Sequence, residues 1–120
     1  RRLDEDINEV YLFHGTSPQA ANAIATNGFC ISKAGSTSGT MFGPGIYLAE
    51  NSSKSDEYAK EGEGIFVGQY AVVICRAIAG RVLTVTRPGN YASKVQSQEY
   101  DSVCGDRLSA VGTFREVVFF

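Results

Sequence analysis

Short apolar runs alternate along this chain with polar breaks marked by glycine, a rhythm that predicts strands more often than helices. Val10-Tyr11-Leu12-Phe13 reads as a buried strand that His14-Gly15-Thr16 interrupts, after a charged and peripheral stretch from Arg1 to Glu9. Ser17-Pro18 has the form of an N-cap followed by Pro at the first helical position. It opens an Ala-rich helix from Gln19 to Thr26, with Ala20, Ala23, Ile24 and Asn27 at three- and four-residue spacings and Asn27-Gly28 as the stop. Its small side chains predict close packing on something flat, such as a sheet. A polar loop follows from Ser32 to Thr40. Gly43-Pro44-Gly45 turns the chain into a short strand, Ile46 to Ala49, and Asn51-Ser52-Ser53 caps a second helix expected from Lys54 to about Glu61. Tyr70 to Ile78 is nearly continuous in Val, Ile, Ala and Cys, the pattern of a strand buried on both faces. Ala79-Gly80 leads into a further strand, Arg81 to Thr86, and Pro88-Gly89-Asn90 breaks it. Residues 91–110 read as polar and irregular, and Thr113 to Phe120 as the last strand.

Roughly five or six strands against two short helices, in an order that does not alternate strand and helix, indicate the α+β class. The expected architecture is a curved, mainly antiparallel sheet. A doubly wound parallel sheet would need more crossover helices. The 120 residues suffice for one domain, spanning 1–120. The chain does not begin with Met and closes on Val117-Val118-Phe119-Phe120 in mid-pattern. We read it as a piece of a longer protein, with a further edge strand either beyond Phe120 or absent.

Charge narrows the partners. Eleven basic against thirteen acidic side chains leave a formal charge of −2, which argues against general affinity for nucleic-acid backbones or acidic membranes. No apolar run reaches membrane-spanning length. Cys30, Cys75 and Cys104 have neither disulfide-framework nor zinc spacing. Reduced thiols in an intracellular protein, nuclear or cytoplasmic, are expected, and no metal.

Three places carry candidate chemistry. The single histidine, His14, ends an apolar strand and is followed at once by Gly15, where a ligand's approach to the backbone is unobstructed. From Gly43 to Tyr58 a strand, a polar corner and a helix start bring hydroxyls and N–H groups together, bracketed by Tyr47 and Tyr58. Two such rings can sandwich a flat heterocycle, or both can be ordinary core aromatics. Glu116 stands within an apolar strand, where a carboxylate is costly without a partner or a function. An edge strand with Glu116 in water is the alternative.

Phe13-His14-Gly15-Thr16, then Gly43 to Ala49, then Ser53-Lys54-Ser55-Asp56-Glu57-Tyr58, then Glu116-Val117-Val118-Phe119 resemble the catalytic domain of the poly(ADP-ribose) polymerase family. The stretch from Met41 to Tyr58 is similar to the tankyrase branch in particular. The resemblance implies the ADP-ribosyltransferase fold, NAD⁺ as substrate and a protein acceptor, with nucleic acid a further acceptor class. It also implies a triad of His14, Tyr47 and Glu116, with Thr16 among the NAD⁺-binding residues. His14 would bond an adenosine-side ribose hydroxyl. Gly15 and Ser55 would hold the nicotinamide carboxamide. Tyr58 would stack on the ring, Tyr47 would close its other face, and Glu116 would contact the nicotinamide-ribose 2′-hydroxyl. The chain departs from the family by being short, by lacking the tankyrase zinc cluster, and by a short donor loop near Ile31 to Thr40. A non-catalytic NAD or ADP-ribose module, an NAD glycohydrolase and an RNA 2′-phosphotransferase are the competing readings.

Overall fold

The computed structural model describes residues 2–30 and 41–120, so the expected polar loop over 32–40 and the donor loop lie outside the described residues. Strand β1 (Glu9–Thr16) pairs along its whole length with β3 (Ala71–Ile78) on one side. On its other side it meets β2 (Ile46–Ala49) at a single pair, Phe13↔Ala49. Next come β6 (Arg115–Phe119), β5 (Ser102–Asp106) and β4 (Val82–Val85), giving among the described residues one six-stranded sheet in the order β3-β1-β2-β6-β5-β4. Every pairing is antiparallel except β4 with β5. That parallel pair needs a crossover, and the segment between its strands carries helix α3 (Ala92–Gln96). The α+β, mainly antiparallel expectation is borne out.

Helix α1 (Pro18–Asn27) begins as its sequence predicts: Ser17 Oγ accepts from the Ala20 N–H at 3.2 Å, and Gly28 ends it at φ +81°. It lies against β3 but buries none of its residues, so its alanines pack less closely than their spacing suggests. Helix α2 (Ser52–Asp56) is shorter than expected. Beyond it the chain tightens into three-residue turns, Tyr58 N–H to Ser55 O and Ala59 N–H to Asp56 O, because no apolar stripe holds a longer helix to the sheet. Helix α4 (Arg107–Val111) is capped by Asp106, which accepts from the Ser109 N–H and hydroxyl, both at 2.9 Å. No helix among the described residues is long and apolar enough to cross a membrane.

Two apolar clusters sandwich the middle of the sheet. Leu12, Leu48 and Val117 form one, with Val10, Ile46 and Phe119 against them. Phe42, Tyr47 and Val118 form the other. The doubly buried strands are therefore β2 and β6. The expectation for Tyr70 to Ile78 is corrected: β3 is an edge strand with one face in solvent, and Ile74 is 67% exposed. A continuous β-branched run marks a strand without saying how many neighbours it has. Glu9 is also no peripheral residue: it is buried, opens β1 and meets the Arg76 guanidinium at 3.0 Å.

The expectation of irregular structure over 91–110 is likewise corrected, since β5 lies inside it with Val103 fully buried. Its composition hides it, because polar side chains stand where a strand signature wants apolar ones. Ser102 is satisfied by donating to Ala79 O at 2.8 Å. Gly105 lies under the Phe42 ring, which a Cβ there would overlap, with Phe42 Cδ2 at 2.7 Å.

Candidate active site

Glu116 stands on a central strand. In the antiparallel register Ala49 opposes Glu116 and Tyr47 opposes Val118, so Tyr47 and Glu116 belong to one face of the sheet. Glu116 is 7% exposed, which removes the edge-strand reading. One carboxylate oxygen, Oε1, accepts from the Tyr58 hydroxyl at 3.3 Å and lies 4.0 Å from Lys54 Nζ. The other, Oε2, is buried and has no hydrogen-bond partner among the described residues. Burial pushes the Glu116 carboxyl above its ordinary value; Lys54 and the Tyr58 hydrogen bond oppose that, and Glu57 adds to it. Burial and then the same carboxylate push the Tyr58 hydroxyl far up, so it is a donor at every working pH.

The cavity in front of Glu116 has a volume of about 490 Å³. Lys54 and Tyr58 line it from the α2 side, Arg107, Val111, Thr113 and Phe114 from the α4 side, and Met41 also lines it. Helix α2 sets the first of these sides. Its Ser55 is buried, with an Oγ that has no partner among the described residues. That helix can approach β1 only because residue 15 is glycine: a Cβ there would overlap the Ser55 carbonyl, with its carbon at 2.6 Å. Gly15 thus serves a backbone-to-backbone contact as well as any ligand, a role invisible in the tripeptide alone.

Tyr47 and Tyr58 part company. Tyr58 lines the cavity. Tyr47 is in the core, stacked on Phe42 with centroids 6.5 Å apart. Its hydroxyl accepts from the Phe42 N–H at 2.8 Å and donates to Gly43 O at 2.7 Å, so it clamps the Gly43-Pro44-Gly45 turn. Tyr47→Phe would leave both backbone groups buried and unpaired. We expect a loss of about 1–3 kcal/mol in stability, checked by thermal denaturation; an unchanged midpoint would show the clamp to be idle.

His14 occupies the seam between β1 and β2. The two strands part after Phe13↔Ala49, and the imidazole bridges the gap: Nδ1 lies 3.0 Å from Tyr47 O. A carbonyl only accepts, so Nδ1 carries the proton and a neutral ring keeps Nε2 as an acceptor. The ring meets Phe29 edge to face at 5.0 Å. Tyr47 and Glu116 share one face of the sheet by register, whereas His14 sits at the seam where β1 and β2 part. The structure therefore joins His14 to Tyr47 through the backbone at a strand junction, and joins Tyr58 and Lys54 directly to Glu116. Thr16 ends β1 and accepts from the Lys60 N–H at 3.4 Å through its carbonyl. Lys54 is the residue on the α2 side of the cavity to which the motif resemblance assigns no role. Its signal was available in the spacing, one residue before Ser55 and four before Tyr58.

The model of the poly(ADP-ribose) polymerase catalytic domain matches residues 1–116. Among characterised proteins, the chain is 33% identical over 112 residues to "Poly [ADP-ribose] polymerase tankyrase" of Caenorhabditis elegans, an alignment covering 88% of this chain and 5% of that protein. The chain thus spans a small fraction of the relative's length. With a family match over nearly its whole length and a tankyrase among its relatives, the chain belongs to the poly(ADP-ribose) polymerase catalytic-domain family.

Proposed function

We propose that this chain is the catalytic domain of an NAD⁺-dependent ADP-ribosyltransferase that breaks the nicotinamide–ribose bond and passes ADP-ribose to a protein acceptor. The observation that carries the reading is Glu116: a buried carboxylate on a central strand, facing a cavity, with Oε2 unused. A structural acid would have its oxygens paired. The orphaned Ser55 Oγ nearby is the kind of group a carboxamide would satisfy.

On this reading Gly15 and Ser55 hold the carboxamide and Tyr58 packs on the nicotinamide ring. His14 accepts from a ribose hydroxyl through Nε2. Tyr47 acts mainly by holding His14 and the Gly43 turn in place. Glu116 accepts from the 2′-hydroxyl through Oε2. As the bond from the ribose anomeric carbon to the nicotinamide nitrogen breaks, its electron pair leaves with nicotinamide and positive charge builds on the sugar. The Glu116 carboxylate faces that charge and stabilises it. The acceptor then bonds to the anomeric carbon, and its proton passes to a carboxylate or to water. The family resemblance ties an acid at this position to chain elongation, so we extend the proposal to poly(ADP-ribose). An intracellular setting, where NAD⁺ is present and Cys30, Cys75 and Cys104 stay reduced, completes the reading.

Mass spectrometry of the products formed from NAD⁺ by the full-length protein tests this. ADP-ribose attached to protein, with nicotinamide released, supports it. Free ADP-ribose alone would make the protein a glycohydrolase, and binding without turnover would make it a module. For His14→Ala we expect NAD⁺ affinity to fall about tenfold, roughly 1.4 kcal/mol. Calorimetry giving the parent affinity would remove His14 from the binding role.

A further inference from the structure

Lys54 has more anionic neighbours than one cation can fully serve. Its ammonium lies 3.2 Å from Glu57 Oε1 and 4.0 Å from Glu116 Oε1, and 5.5 Å from the centre of the Tyr58 ring. The two acids differ in setting. The Glu57 side chain is 53% exposed and that of Glu116 only 9%. An ion pair in water contributes little, whereas one out of water is felt strongly by both partners. The closer contact is nevertheless the outer one.

We propose that Lys54 is a positioning residue shared between Glu116 and Glu57, so that a surface acid outside the cavity tunes the charge and aim of the acid within it. Lys54, Glu57 and Tyr58 face Glu116 from α2 and the turn after it. Tyr47 faces it from β2, and Arg107 lines the cavity from the start of α4. β5 contributes no charge at this point, since Gly105 opposes Glu116. Among the described residues Lys54 is the cation within ion-pair distance of Glu116. Its pull opposes the upward push of burial on the Glu116 carboxyl, and Glu57 pushes in the same direction as burial. Glu57 therefore acts twice, by repelling Glu116 and by drawing Lys54 outward. Removing Lys54 should leave Glu116 harder to ionise, and removing Glu57 should make it easier.

Carbon-13 NMR titration of the glutamate carboxyls reads this directly, with Glu116 assigned as the signal lost in Glu116→Gln. The full chain is compared with Lys54→Met, Lys54→Arg and Glu57→Gln. We expect the Glu116 midpoint to rise by about one pH unit in Lys54→Met, to fall in Glu57→Gln, and to stay near the parent value in Lys54→Arg. The acid limb of kcat/KM for nicotinamide release should move in the same directions. That kinetic arm rests on the proposed transferase activity; the titration does not. Midpoints unmoved by both Lys54→Met and Glu57→Gln would overturn the inference. Shifted midpoints without any nicotinamide release would overturn the transferase reading and leave the Lys54 role standing. Should Lys54→Met fail to fold, Glu57→Gln decides by the same criterion.

Discussion

Glu116→Gln is expected to lose ADP-ribosyl transfer by at least about a hundredfold, the scale of removing one group aimed at transition-state charge, and to melt at a higher temperature than its parent. The first effect follows from charge: an amide cannot offset the positive charge that builds on the ribose. NAD⁺ binding should survive, because the amide keeps the shape and an acceptor oxygen. The second effect follows from burial. The Glu116 carboxyl is raised above its ordinary value of 4.5, chiefly because it is out of water. A raised carboxyl binds its proton more tightly in the folded chain than in the unfolded one. Its stabilising contribution is therefore fully present below pH 4.5 and lost as the pH rises through the folded value. At neutral pH the ionised acid is a net cost, with Lys54 and Tyr58 offsetting part of it. Gln carries no charge to desolvate, and we expect its midpoint at pH 7 to lie above the parent's. The gain should shrink toward pH 4. Scanning calorimetry at pH 4 and pH 7, beside an assay of nicotinamide release, checks both halves. Full activity in the variant would remove Glu116 from the chemistry, and a lower midpoint at pH 7 would show that its hydrogen bond outweighs its burial.

Gly15→Ala is expected to be among the most damaging single substitutions in the chain, although it adds one methyl group. The new Cβ would overlap the Ser55 carbonyl, and its nearest further neighbours are backbone atoms, Ser55 C at 2.6 Å and Ala59 N at 3.2 Å. A side chain could rotate away; a backbone cannot without moving α2. Such overpacking costs about 1–3 kcal/mol, and more where the neighbours are rigid. Because α2 carries Lys54 and Ser55 and leads into Tyr58, the displaced wall is the one facing Glu116. Stability and NAD⁺ affinity should fall together. A variant with parent stability, parent affinity and unchanged amide chemical shifts over residues 52–59 would show the contact to be soft.

How far the site could be read in advance varied by residue. Val10 to Phe13, Ile46 to Ala49 and Val117 to Phe120 announced themselves as strands by their apolar runs, and Ser17-Pro18 and Asn27-Gly28 announced the ends of α1. Tyr70 to Ile78 was legible as a strand but not as an edge, because edge and centre differ in neighbours rather than in composition. β5 was hidden because its burial rests on a satisfied serine hydroxyl and on a glycine beneath Phe42. Tyr47 and Tyr58 looked equivalent when judged by spacing. The fold makes one a core clamp and the other a cavity wall.

By itself the amino-acid order determined the α+β class, the run of strands and turns, and the family motifs around His14, Tyr47, Ser55 and Glu116. Those are local signals, carried by side-chain periodicity and turn chemistry. Only the tertiary structure decided that Glu116 lies on a central strand with one oxygen unused, that Lys54 stands between two acids, and that Gly15 is a contact between a strand and a helix. Burial, register and the charge felt by a carboxylate depend on which distant segments come to lie beside it, and no local pattern encodes that.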